Sequence, residues 1–191
     1  MKKTRASSAF TCEICLLAGG LSSRMGRDKA RLRLGRRTLL GHVRAVARAL
    51  ALPVRVIRRD LVPRCGPLGG IYTALKTSEA EAVLFLACDM PFVSPTLLQT
   101  LLDNAGRAKA VFTREAGRAG FPFLLRHTAL AVVEQQLAAK EFSLQSLAKK
   151  LRARTLRPPK GALELFNINT PEDWREARRV YAVTAPTRTE T

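Results

Sequence analysis

A chain of 191 residues that is 47% hydrophobic has enough apolar material for one α/β domain with its own core, which excludes global disorder. It has no run near the roughly 18 to 20 uninterrupted apolar residues of a membrane-spanning helix, so a helical membrane protein is excluded too. The net charge of +18 attracts nucleotides, phosphorylated cofactors and nucleic acid alike, and therefore selects no partner by itself.

Met1-Lys2-Lys3 followed by Phe10 to Leu17 has the outline of a signal peptide. Glu13 breaks that apolar run, and Gly19-Gly20-Leu21-Ser22-Ser23-Arg24 stands where a small-residue cleavage site would be. Residues 1–12 are read as a flexible leader and the protein as cytoplasmic. Glu13 to Ala18 reads as a buried strand entering a tight turn, followed by a basic loop from Gly19 to about Arg37. Thr38 opens a helix with Leu39, Val43, Val46, Ala47 and Leu50 on one side and Arg44 and Arg48 on the other. Val54 to Ile57 is a short strand, and Gly66-Pro67 starts a helix carrying Leu68, Ile71, Tyr72 and Leu75.

Ala82 to Cys88 has the continuous apolar character of a central parallel strand. Ser94-Pro95 begins a helix with Leu97, Leu98, Leu101 and Leu102 as its buried stripe. Lys109 to Thr113 and Phe121 to Arg126 are predicted strands around a Gly117–Gly120 turn, and His127 to Lys140 and Ser143 to Leu151 are predicted helices. Leu163 to Ile168 is the last predicted strand. Thr170-Pro171, with Asp173 three residues after the cap, begins the last helix. The alternation predicts one Rossmann-like three-layer α/β domain over 13–181 with a mostly parallel sheet, and a disordered tail over 182–191.

The four cysteines suggest no metal or redox site. Cys12 and Cys15 have CxxC spacing inside a strand, where residues three apart face opposite sides, and no second pair completes a site. Cys65 and Cys88 stand singly near strand ends. His42 and His127 fall in predicted helices without an acid–nucleophile set beside them, and all six side chains are read as structural.

In an open parallel sheet, ligands sit beyond the carboxyl ends of the strands. That rule brings Leu17-Ala18-Gly19-Gly20, the region from Asp60 to Gly70, Asp89-Met90-Pro91 and Asn167-Ile168-Asn169 to one sheet edge. The stretch Leu17 to Lys29 has the properties of a phosphate cradle: glycines expose backbone N–H groups, and Arg24 and Lys29 add positive charge. The same residues would also suit an ordinary surface loop. Asp89 closes an apolar strand, where a carboxylate can hold Mg²⁺ against triphosphate oxygens; a turn aspartate is the alternative, weakened because Ser94 supplies the next cap. Asp60 follows Arg58-Arg59 and is equally readable as an ion-paired surface residue.

Leu17-Ala18-Gly19-Gly20-x-Ser22-x-Arg24-Met25-Gly26-x-Asp28-Lys29 resembles the N-terminal signature of molybdenum cofactor guanylyltransferases, nucleotidyltransferases of the Rossmann-like GT-A type. Gly66 to Ile71, Ala87 to Pro91 and Asn167 to Asp173 follow in the order that family shows. The resemblance implies attack of the terminal phosphate of molybdopterin on the α-phosphate of GTP, releasing pyrophosphate and forming a guanine dinucleotide. It implies GTP and molybdopterin as partners, molybdoenzyme chaperones as further ones, magnesium as cofactor, and neither membrane nor nucleic acid. It also implies nucleotide contacts from Leu17, Ala18, Gly19, Lys29, Asp60 and Asp89, with Asp89 also on the metal. Lys29, Asp89 and Arg24 then form the catalytic set, the role of Arg24 resting on its charge, and Asn167 and Asn169 lie toward the acceptor.

The stretch between Leu50 and Asp60 is about twenty residues shorter than the family pattern. The sheet is therefore expected to lack one family strand, and an asparagine that similar proteins use for the nucleotide has no counterpart. Transfer of another base, for example cytidylyl, and a catalytically impaired basic binding protein are the alternatives. Ala18-Gly19-Gly20 favours guanine, since similar cytidylyl enzymes carry Ala-Ala-Gly there.

Overall fold

In the computed structural model, which describes residues 10–19, 29–158 and 163–184, the apolar run Cys12–Leu17 forms β1. A two-residue hairpin follows, β2 (Arg33–Leu34) and β3 (Arg37–Thr38), so part of the expected basic loop is paired. Thr38 caps α1 (Leu39–Arg48), its hydroxyl accepting from the Gly41 N–H at 3.0 Å. Next come β4 (Val54–Ile57), α2 (Pro67–Lys76) and β5 (Ala82–Ala87). α3 (Pro95–Asp103) is capped by Ser94, which also bonds Glu164. β6 (Ala110–Glu115) and β7 (Arg118–Arg126) are longer than expected, because Ala116 and Gly117 alone make the turn. α4 (Leu130–Ala138) begins after a short 3₁₀ turn over His127–Ala129, and α5 (Leu144–Lys150), β8 (Arg154–Leu156) and α6 (Pro171–Thr184) are the last elements among the described residues. Most of the expected leader and tail lies outside the described residues; Cys12 already belongs to β1, and residues 182–184 belong to α6.

The main sheet has the order β4-β1-β5-β7-β6-β8, and among its six strands β7 alone runs antiparallel to its neighbours. Alternation along the strands builds a core on each face. Ile14, Leu16, Leu84 and Leu86 pack with Val43 and Ala47 of α1 and Leu98 and Leu101 of α3. Cys15, Leu17, Val83 and Phe85 face the other side, against Ile71 and Leu75 of α2, Val133 of α4 and Leu147 of α5. The CxxC cysteines do point to opposite faces: Cys12 belongs to the first core and Cys15 to the second. Burial pushes both thiols up to about 12, so they stay neutral. A smaller core of Leu34, Leu39, Ile168 and Ala177 fastens α6 to the β2–β3 hairpin.

The strand expected over 163–168 does not form. Leu163–Leu165 is a 3₁₀ turn, and the residues after it stay out of the sheet: Phe166 and Ile168 pack against α6 and the hairpin instead. The strand that does close this side is β8, where Arg154 and Thr155 are exposed and Leu156 is half-buried. Such an edge strand carries no apolar run to announce it. β4 is the opposite edge of the described sheet. Among the described residues no helix is long and apolar enough to cross a membrane.

Candidate active site

The carboxyl ends of β4, β1 and β5 open together into a cleft of about 990 Å³. Each strand delivers its expected residues. Leu17, Ala18 and Gly19 come from β1, Asp60 from the segment after β4, and Cys88 and Asp89 from the end of β5. The strand ends are knitted by backbone bonds from Ala18 N to Ile57 O (2.9 Å) and from Cys88 N to Leu17 O (3.3 Å). Gly19 is pressed against the segment after β4: a Cβ there would stand 3.0 Å from the Arg58 carbonyl oxygen, which would have to give by a few tenths of an ångström.

Asp60 is half-buried in this cleft, and loss of solvent raises its carboxyl pKa above the ordinary aspartate value. Asp89 is also half-buried, and its carbonyl oxygen accepts the Ile168 N–H at 3.0 Å. That bond places the Asn167–Asn169 segment beside the end of β5 without a strand there. The asparagines flank buried Ile168 and are themselves exposed; Asn167 Nδ2 donates to the Leu165 carbonyl at 2.8 Å. Neither lines the cleft. Asp173 bonds the Asn169 and Thr170 N–H groups at 2.8 Å each and receives its own cap from Thr170, as the capping pattern required.

Arg24 lies outside the described residues, as does the rest of the basic loop over 20–28. Lys29 begins a 3₁₀ turn, Lys29–Arg31, and the next residue, Ala30, lines the same cleft as Asp89 and Asp60. The backbone at Lys29 therefore stands at the site, and its side chain is outside the description. His42 bonds the Leu34 carbonyl through Nε2 at 2.7 Å and meets Tyr181 edge-on, which makes it a structural residue of the hairpin and α6.

Sequence reasoning missed Arg58, Arg64 and Phe121, all of which line the cleft. Arg58 directly follows a strand and was within reach of the strand-end rule, but it entered only as the basic neighbour that made Asp60 readable as an ion-paired surface residue. Phe121 was out of reach. It sits near the start of β7, and because that strand is antiparallel its beginning, not its end, faces the cleft. The Thr113 hydroxyl donates to the Phe121 carbonyl at 2.9 Å, beside the register shift between Phe112 and Thr113.

The Gly19 backbone at a strand end, two half-buried carboxylates and the Arg58 and Arg64 side chains in one cleft suit a polyphosphate held near a cation. The model of the MobA-like NTP transferase domain matches residues 14–155, which contain all of these elements except the Asn167–Asn169 segment. The chain belongs to the MobA-like NTP transferase family. It is 35% identical to the probable molybdenum cofactor guanylyltransferase of Opitutus terrae, over 87% of this chain and 95% of that one. It is 32% identical to the molybdenum cofactor guanylyltransferase of Pseudomonas putida, over 84% of this chain and 94% of that one. The crystal structure of molybdopterin-guanine dinucleotide biosynthesis protein A from Archaeoglobus fulgidus superposes with a TM-score of 0.73 at 20% identity, covering 90% and 100% of the two chains. This MobA-like NTP transferase is thus a nucleotidyltransferase by family, on a sheet that its solved neighbour shares.

Proposed function

We propose that this MobA-like NTP transferase transfers GMP from GTP to the terminal phosphate of molybdopterin, giving molybdopterin guanine dinucleotide and pyrophosphate. The observation that carries the reading is the meeting of Leu17–Gly19, Asp60 and Asp89 in one cleft, together with relatives of the stated name that match over nearly their whole length. An acceptor phosphate oxygen forms a bond to the α-phosphorus of GTP as the bond from that phosphorus to the β-phosphate bridging oxygen breaks, and pyrophosphate leaves with the electron pair. No covalent enzyme intermediate is needed, so positioning and charge neutralisation are the protein's task.

Gly19 would present its backbone N–H to the phosphates, with Lys29 and Arg24 adding charge. Arg58 and Arg64, on the β4 flank, extend that cationic wall. Asp60 on the β4 side would take the nucleoside, and the Asn167–Asn169 segment, held to the Asp89 carbonyl through Ile168, would lie toward the acceptor.

The residues fit magnesium as the cofactor. Asp89 and Asp60 offer hard carboxylate oxygens in one cleft, and no cluster of three or more His, Cys, Asp or Glu side chains suited to a metal occurs among the described residues. Such a donor set suits a cation that takes one or two carboxylates and fills its other positions with water and phosphate oxygens. When bound, magnesium supplies charge neutralisation at the triphosphate. A cytoplasmic setting and molybdoenzyme chaperones as partners belong to the same proposal.

The test is product formation by the purified protein with molybdopterin and Mg²⁺, offered GTP, CTP or ATP in turn. One pyrophosphate per dinucleotide, with GTP preferred, is expected. Equal turnover of CTP would overturn the guanine assignment, and no turnover of any nucleotide would overturn the transfer reaction.

A further inference from the structure

Asp60 is seated on the first turn of α2. A Cβ built on Gly69 would stand 2.9 Å from Asp60 Oδ2 and 2.6 Å from the Val62 carbonyl oxygen, and one on Gly70 would stand 3.3 Å from Asp60 Oδ1. Carboxylate and loop therefore rest directly on helix backbone, at a separation that only glycine permits. Contact with a smooth glycine surface does not fix where along the helix the loop lies. A directional bond does that. Thr73, one turn beyond Gly69 and 6% exposed, accepts the Leu61 N–H on Oγ1 at 2.8 Å and donates from the same hydroxyl to the Gly69 carbonyl at 2.8 Å. Thr73 does not line the cleft.

We propose that Thr73 is a positioning residue for nucleotide binding: its hydroxyl ties the residue after Asp60 to the helix turn carrying Gly69 and Gly70, and so aims the Asp60 carboxylate into the cleft. The proposal rests on the reading of Asp60 as a nucleotide ligand. Valine keeps the shape of threonine and removes the hydroxyl, leaving the Leu61 N–H without its partner and the loop free to slide over the glycines. Serine keeps the hydroxyl.

The experiment uses the full chain with GTP, molybdopterin and Mg²⁺, comparing wild type, Thr73→Val, Thr73→Ser, Asp60→Asn and the Thr73→Val/Asp60→Asn double variant. Thr73→Val is expected to raise the GTP KM about tenfold while the molybdopterin KM stays within about twofold, and Thr73→Ser to restore both. On the Asp60→Asn background, Thr73→Val should raise the GTP KM little further, because the group it aims is gone. A general loss of stability would instead raise both KM values and add fully to Asp60→Asn, overturning the proposal. A GTP KM unchanged by Thr73→Val, beside one raised by Asp60→Asn, overturns it too and leaves the role of Asp60 standing. An unchanged GTP KM in Asp60→Asn removes the reading of Asp60 itself. Amide exchange of Leu61 in the wild type tests the tie independently of any variant: protection supports it, and an unprotected Leu61 N–H contradicts it.

Discussion

Burial holds the Asp60 carboxyl above the usual aspartate range, so the apo protein carries a charge that its surroundings disfavour. The folded state then binds a proton more readily than the unfolded chain. Stability from this group is present at low pH and is lost as pH rises from the ordinary aspartate value through the raised one. Nucleotide with a cation would reverse that penalty by favouring the carboxylate. Asp60→Asn is therefore expected to raise the thermal midpoint of the apo protein at neutral pH and to weaken GTP binding, both readable in one thermal-shift series with and without GTP. The acid limb of kcat/KM for GTP should lie above the titration range of an unperturbed aspartate. At this scale the sequence made Asp89 and the Leu17–Gly19 turn visible, because both follow apolar runs. Asp60 was ambiguous beside Arg58-Arg59, since sequence shows the charges but not the glycine pair that receives the carboxylate. Phe121 was hidden by strand direction, which no local pattern encodes.

Among the elements, α2 connects site and core. Its first turn seats Asp60, and its other end is held by Arg55 from β4. Arg55 bonds Glu13 at 2.6 Å, the Ala74 carbonyl at 2.8 Å and both oxygens of Thr77, at 2.5 and 3.2 Å. A guanidinium there satisfies carbonyls that the helix end leaves unpaired and opposes the negative end of the helix dipole. The Glu13 side chain is only 14% exposed, so removing its partner leaves a poorly solvated charge. Arg55→Met is expected to lower unfolding free energy by about 2 kcal/mol, measured by denaturant titration with an unchanged slope. Adding Glu13→Gln should recover part of that loss. Helix starts at Thr38, Ser94, Ser143 and Thr170 were legible because a cap is a local hydrogen bond between neighbours in sequence. β8 and the 163–168 segment were misjudged because both are decided by distant partners: β8 by pairing with β6, and Ile168 by the Asp89 carbonyl and the α6 core.

For the molecule as a whole, the central fact is topological. Parallel pairing of β4, β1 and β5 brings residues more than sixty positions apart, Gly19 and Asp89 among them, to one cleft, and the antiparallel β7 adds a residue of its own. The net charge of +18 gives the protein a field favourable to polyanions in general, and the two carboxylates in the cleft would offer a cation its ligands. The class of fold and the grouping of strand ends followed from alternating elements and the rule that ligands sit beyond carboxyl ends; which of those ends are neighbours needed the strand order. The most direct test of this account is the rate of pyrophosphate release from GTP with molybdopterin and Mg²⁺ by folded Asp89→Ala beside wild type. A loss of about a hundredfold or more is predicted on the proposal that Asp89 holds charge at the reacting phosphates. Release at the wild-type rate would contradict the account.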